Sequence, residues 1–286
     1  MNKALKKIIT SICSFALILP LGLGLTACAH EHDFETNYSI NATHHWQVCK
    51  EENCDVVQNY GEHIDANEDD MCDVCKYGAN IVIGNTNYSS LQEAVTNAEA
   101  GATIVLNNDL DLPTAVEVNK ELTIDLNGKT LTITEDTAGD GVFMVVDGGK
   151  LTINGDGVLD GCGNNIYNIV IFANGGEVII NGGTYTNENL VVDPSDGDSN
   201  HYDVIYAKNG GKVTINGGVF KGKTPKWTLN EYDGSVETTD FIVKGGSFKG
   251  YNPSNNSNES TSQNYVADGY EVVQDGDYYK VVPVQE

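Results

Sequence analysis

GGKLTINGDGVLDG (148–161), GGEVIINGGTYTNE (175–188) and GGKVTINGGVFKGK (210–223) are three copies of one pattern, and DFIVKGGSFKG (240–250) is a degenerate fourth. The clear copies begin 27 and then 35 residues apart, periods at which short units stack into a solenoid. Within each copy, apolar residues sit two apart: Leu151 and Ile153, Val178 and Ile180, Val213 and Ile215, Phe241 and Val243. Alternation at period two gives a strand one apolar face. A single rung leaves that face in water, whereas stacking equivalent rungs buries it, at roughly 1.5–3 kcal/mol per large aliphatic side chain before entropy.

After each strand Gly-Gly or its equivalent, Gly155-Asp156-Gly157 in the first copy, turns the chain and a large side chain re-enters: Leu159, Tyr185, Phe220 and Phe248. These predict an internal stack. Asn154, Asn181 and Asn216 align at the turn and predict an amide ladder along the axis, which Lys244 interrupts. Upstream, Ser89 with Gln92, or Ser90 with Glu93, offers a capping box to a short helix whose buried stripe is Leu91, Ala94, Val95 and Ala98, with Gly101 ending it. At the far end, YVADGYEVVQDGDYYKVVPV reads as a closing hairpin turning at Gln274–Asp277, a cap of the kind that protects an open sheet edge.

The run SLQEAV, GATIVL, LTIDLNGKTL is similar to the amino-terminal cap and first coils of the pectin-lyase-like right-handed parallel β-helix superfamily. The resemblance covers roughly 80–286 and implies an all-β fold: a right-handed parallel β-helix solenoid with a short N-terminal capping helix, preceded by a small loop-rich Cys/His module. Enzymes of that superfamily include polysaccharide lyases, esterases and hydrolases. The pectate-lyase-like lyases and the esterases use an arginine, and this chain contains none. Aspartates at 140, 147, 156 and 160 adjoin glycines, where turn formation already accounts for them.

Two insertions stand out. DPSDGDSNHYD (193–203) gathers Asp193, Asp196, Asp198 and Asp203 with His201, oxygen ligands of the type calcium takes, or a solvated acidic bulge. PKWTLNEYDG presents Trp227 and Tyr232, rings suited to stacking on sugars or to covering the flank of the solenoid. Cys162 reads as a small buried hydrophobe.

The first 79 residues have a different character. MNKALKKIITSICSFALILPLGLGLTACAH begins with three lysines and continues into an apolar stretch, the profile of a secretory signal. Leu25-Thr26-Ala27-Cys28 resembles the lipobox of bacterial lipoproteins, which implies cleavage after residue 27 and a lipid on Cys28. The organisation expected is a lipoprotein signal peptide (1–27), a Cys/His module (28–79) and the β-helix domain (80–286). The protein is then exported and anchored to the cell membrane facing outside. The formal net charge of −25 excludes phosphate-backbone binding, so nucleic acid is not a partner.

Residues 44–78 hold four of the seven cysteines and three of the six histidines. In an exported chain, Cys49, Cys54, Cys72 and Cys75 permit two disulfides. Equally, Cys72-Asp73-Val74-Cys75 has the two-residue spacing that turns both thiolates toward one ion, and His32, His44, His45 and His63 supply imidazoles. H-x-F, H-W-x-x-C, H-x-D and C-D-x-C look like the small Cys/His modules of bacterial surface proteins, although Cys49 and Cys54 depart from C-x-x-C. This resemblance implies zinc; one division of the donors puts His32, His45, Cys49 and Cys54 on one ion and His63, Cys72 and Cys75 on another, and the sequence leaves the division open. Asp65–Asp69 has acidic or amide groups at alternate positions but lacks the glycine and the glutamate of a calcium loop; it reads as a solvated turn. The expected function is cell-surface presentation of a non-catalytic scaffold for binding a polysaccharide or a surface protein, or for adhesion. A carbohydrate-active lyase or hydrolase and a structural spacer are the alternatives.

Overall fold

A computed structural model describes residues 31–36, 38–40, 43–52, 54–66, 72–75, 81–84, 86–88, 90–135, 140–161, 169–188, 203–234, 239–255 and 263–285. The chain forms two compact units, Met1–Ala79 with Asn85–Asn87, and Asn80–Gly84 with Tyr88–Glu286. Cys28 and Cys162 lie outside the described residues, as do Asp193, Asp196, Asp198 and His201.

The larger unit is all-β with long parallel sheets. One sheet runs Ala102–Leu106, Glu121–Asp125, Lys150–Asn154, Glu177–Ile180, Lys212–Ile215, Asp240–Val243; a second Leu110–Leu112, Thr130–Ile133, Val158–Asp160, Thr184–Thr186, Val219–Lys221, Ser247–Lys249; a third Val116–Val118, Phe143–Val146, Ile171–Asn174, Ile205–Lys208, Leu229–Glu231. The chain visits the three in rotation, and each strand pairs in parallel with the equivalent strand of the adjoining passes.

Register turns this order into columns of like side chains. In the first sheet, Leu122, Leu151, Val178, Val213 and Phe241 are successive partners, and so are Ile124, Ile153, Ile180, Ile215 and Val243. The re-entering residues align as Leu131, Leu159, Tyr185, Phe220 and Phe248. All these side chains are buried. The Tyr185, Phe220 and Phe248 rings stack nearly parallel at 5.0 and 4.7 Å. Burial pushes the Tyr185 phenol up, so it remains a neutral donor, and it donates to Gly182 O at 2.9 Å.

The paired glycines of each copy have two separate causes. Gly210 takes φ +82°, a left-handed conformation that side chains resist, whereas a Cβ on Gly211 would lie 2.2 Å from Ala173 O of the preceding pass. The asparagine ladder is present: Asn181 Nδ2 donates to Asn154 Oδ1 at 2.7 Å and Asn216 Nδ2 to Asn181 Oδ1 at 2.8 Å. A second rung pair that the repeat alignment does not reveal joins Asn209 Nδ2 to Asn174 Oδ1 at 2.7 Å.

The capping helix spans Leu91–Asn97, and of the two possible capping pairs Ser90 is the one used, accepting from Glu93 N. It stops short of Gly101. Ala98 leaves the helical conformation, and the Lys120 ammonium donates to Thr96 O and Ala98 O, satisfying carbonyls that a longer helix would have bonded. At the other end, Tyr270–Asp275 and Tyr278–Pro283 form an antiparallel hairpin docked on Ser247–Lys249.

Candidate metal centres

The smaller unit contains a three-stranded antiparallel sheet, β1 (Ser39–Ile40), β2 (His44–Val48) and β3 (Val57–Glu62), in that order. Alternation along β2 separates its two histidines. His45 and Gln47 face inward and are buried. His44 and Trp46 face the other way, and the Tyr60 ring stacks against both, at 4.9 and 6.0 Å. Gln47 is fully engaged: it donates to Thr36 O and accepts from the side-chain amides of Gln58 and Asn59.

Hairpin register sets His45 opposite Gly61, with an irregularity between His45 and Gln47. A Cβ at 61 would come within 3.3 Å of His45 Nε2, so the glycine is what leaves the imidazole its place. Just beyond β3, His63 lies 5.6 Å from His45, centroid to centroid. The Cys72–Cys75 turn is tied to the same spot, since Asp73 N donates to Ile64 O at 2.7 Å and Ala66 N to Asp73 Oδ2 at 2.9 Å.

Two groups of donors result. His45, His63, Cys72 and Cys75 form one and His32, Cys49 and Cys54 the other, with all ligand atoms of each group within 4.8 Å of one another. The second is assembled by the stretch before β1: Phe34 bridges Cys49, Glu35 N donates to Val48 O and Lys50 N to Asp33 O, which carries His32 alongside Cys49 and the Cys54 turn. None of Cys49, Cys54, Cys72 and Cys75 is in a disulfide. His45 therefore lies with His63, Cys72 and Cys75 rather than with His32, Cys49 and Cys54, a division that the sequence leaves open. The reason is strand alternation plus register, which outweigh the proximity of residues 45 and 49 in sequence.

The dimensions fit a metal ion. Metal–sulfur bonds of about 2.3 Å and metal–nitrogen bonds of about 2.0–2.1 Å in a tetrahedron put each S···N edge at about 3.6 Å. Here Cys75 Sγ to His63 Nδ1 is 3.3 Å, Cys54 Sγ to His32 Nδ1 is 3.4 Å, and Cys72 Sγ to His45 Nδ1 is 3.7 Å. The donors, thiolate and imidazole, are those zinc takes. Zinc would be held by His45, His63, Cys72 and Cys75 in the first group, and by His32, Cys49 and Cys54 in the second.

The electrostatics differ between the groups. Burial opposes ionisation of Cys72, yet the N–H groups of Cys75, Ile64 and Val74, with the His63 ring, outweigh it and bring the thiol down to about 6. At Cys49 burial prevails and the neighbouring Cys54 adds to it, so that thiol is pushed up despite N–H bonds from Glu51 and Asp33. Sequence patterns name cysteines; they do not show these backbone donors, which only the turn conformation supplies.

Elsewhere, Asp203 is the one member of the acidic insertion among the described residues, and it is buried, with its backbone carbonyl accepting from Asn187 Nδ2 at 3.1 Å. Trp227 ends a short 3-10 turn, Pro225–Trp227, with Lys226 Nζ 4.7 Å from its ring centroid. Tyr232 is exposed, and Lys208 Nζ lies 4.5 Å from its ring. Among the described residues, Asp140, Asp147, Asp156 and Asp160 join neither donor group. Most of the Asp65–Asp69 turn lies outside the described residues. No family model, no curated protein and no solved structure matches the chain.

Proposed function

We propose that this protein is an exported lipoprotein of the bacterial cell surface, in which Cys28 carries the lipid, a zinc-held Cys/His module follows, and residues 80–286 wind as a right-handed parallel β-helix that binds a polysaccharide or a surface protein. The observation that carries the display role is the rotation of the chain through three parallel sheets in unbroken register. A stack of this kind gives fixed spacing along its axis and outer faces whose side chains vary freely, because only the inward columns are committed to packing. The exposed Tyr232 with Lys208 against its ring is the local feature best suited to a sugar.

The test has two arms. Expression in a bacterium with an alkyne-tagged fatty acid labels the wild-type chain and leaves Cys28→Ala unlabelled; equal labelling of both removes the anchor. Full-length protein in detergent is then applied to a glycan array and incubated with acidic polysaccharides. Retention without release of reducing or unsaturated ends supports binding, retention with release replaces it by a carbohydrate-active enzyme, and neither leaves a spacer.

A further inference from the structure

The two donor groups differ in a way that bears on what each ion does. His45, His63, Cys72 and Cys75 supply four ligand atoms, enough to complete a tetrahedron, and three of these residues are buried. His32, Cys49 and Cys54 supply three among the described residues, and His32 and Cys54 are half-exposed. Closed four-ligand sites are structural, whereas sites with three protein ligands keep a position for an exchangeable molecule. We propose that the His32–Cys49–Cys54 centre holds its ion with the fourth position open to solvent, taken by water at rest and by a neutral nitrogen donor such as an imidazole when one is offered.

Charge selects that class of ligand. Two thiolates cancel a divalent ion, so a neutral donor leaves the centre neutral, while an anion adds charge to a chain already at −25. Access agrees with it, because two of these three donors, His32 and Cys54, are half-exposed, against one of four, His63, in the other group. The inference rests on the reading of the Cys/His unit as a metal module, and the experiment separates failure of one from failure of the other.

The full chain in detergent is loaded with cobalt(II), its metal content is measured, and imidazole is then titrated while the visible d–d and sulfur-to-cobalt bands are followed. The expected result is two ions per chain, of which one changes its spectrum. Cys54→Ala should keep one ion and lose the imidazole response. The wild-type stoichiometry of response decides the matter even where that variant fails to fold. Two bound ions with no response overturn the open position. If the response then appears in His30→Ala, the position is closed from within the chain by His30. A single bound ion, read before imidazole is added, overturns the three-donor centre, and no bound ion overturns the metal assignment itself.

Discussion

The two units of this protein hold together by different means. In the larger one, columns such as Leu122, Leu151, Val178, Val213 and Phe241 lie wholly inside, and cohesion comes from repetition: each pass buries the apolar face of the next. In the smaller one, the buried apolar residues described are Val57 and the cysteines 49, 72 and 75, with His45 and Gln47 beside them. Four of those six, Cys49, Cys72, Cys75 and His45, belong to the two donor groups. A unit with so little apolar interior must draw its folding energy from elsewhere, and the donor groups are the source at hand. Repetition in the larger unit and, on the proposed metal reading, coordination in the smaller are two solutions to one problem, too small a core per structural unit.

Stripping the metal tests that contrast most severely. Structural zinc contributes about 10–16 kcal/mol in small finger peptides, so a strong chelator should unfold the module outright. Hydrogen exchange would show residues 43–64 losing protection while strands between 121 and 249 keep theirs. Equal protection in both units after chelation would mean that the module stands without its ions. Cys72→Ala should reproduce the loss at the four-donor centre.

The reverse experiment attacks the stack. Phe220 sits between Tyr185 and Phe248 and is fully buried; Phe220→Ala leaves a cavity at the centre of that column and should cost about 3–5 kcal/mol. Thermal melts monitored on the stack would move down, while the metal content per chain stays the same. A loss of bound metal in this variant would show that the two units do not fold independently.

How far these features are legible in the sequence follows the same division. The columns, the ring stack and the Asn154–Asn181–Asn216 ladder follow from a period of two inside a longer period, because stacking preserves position within each copy. Asn174 and Asn209 escape that alignment: they precede the glycine pairs of their copies and so fall outside the motif. The metal groups are legible as a set of residues but not as a partition. That His45 joins His63 depends on an irregular hairpin register and on Gly61 making room, both long-range facts. Asp203 reads as part of a solvated acidic loop, yet the strand entering at Ile205 draws it inside beside Asn187.

A milder perturbation of the stack is Asn181→Ala. This removes one bond to Asn154 and one from Asn216, at the surface, where each is worth about 0.5–1.5 kcal/mol. The melt should shift in the same direction as for Phe220→Ala but by a clearly smaller amount. A shift as large as that of Phe220→Ala would relocate the cohesion of the stack from its interior columns to its corners.

The smallest effect is expected at the closing hairpin, where Lys280 Nζ and Asp275 Oδ2 meet at 2.5 Å on an exposed face. The hydrogen bond and charge of Lys280 hold the Asp275 carboxyl below the usual range. A carboxyl depressed in the folded state contributes stability that is present above its unfolded value, about 3.9, and is lost as pH falls through the lower folded value. Lys280→Met should therefore return Asp275 to the ordinary carboxylate range in an NMR titration, and its melting temperature should differ slightly from wild type near neutral pH and converge with it in strong acid. Solvent screens such a pair, so a large shift at neutral pH would show that the hairpin, and not only the inward columns, holds the end of the stack together.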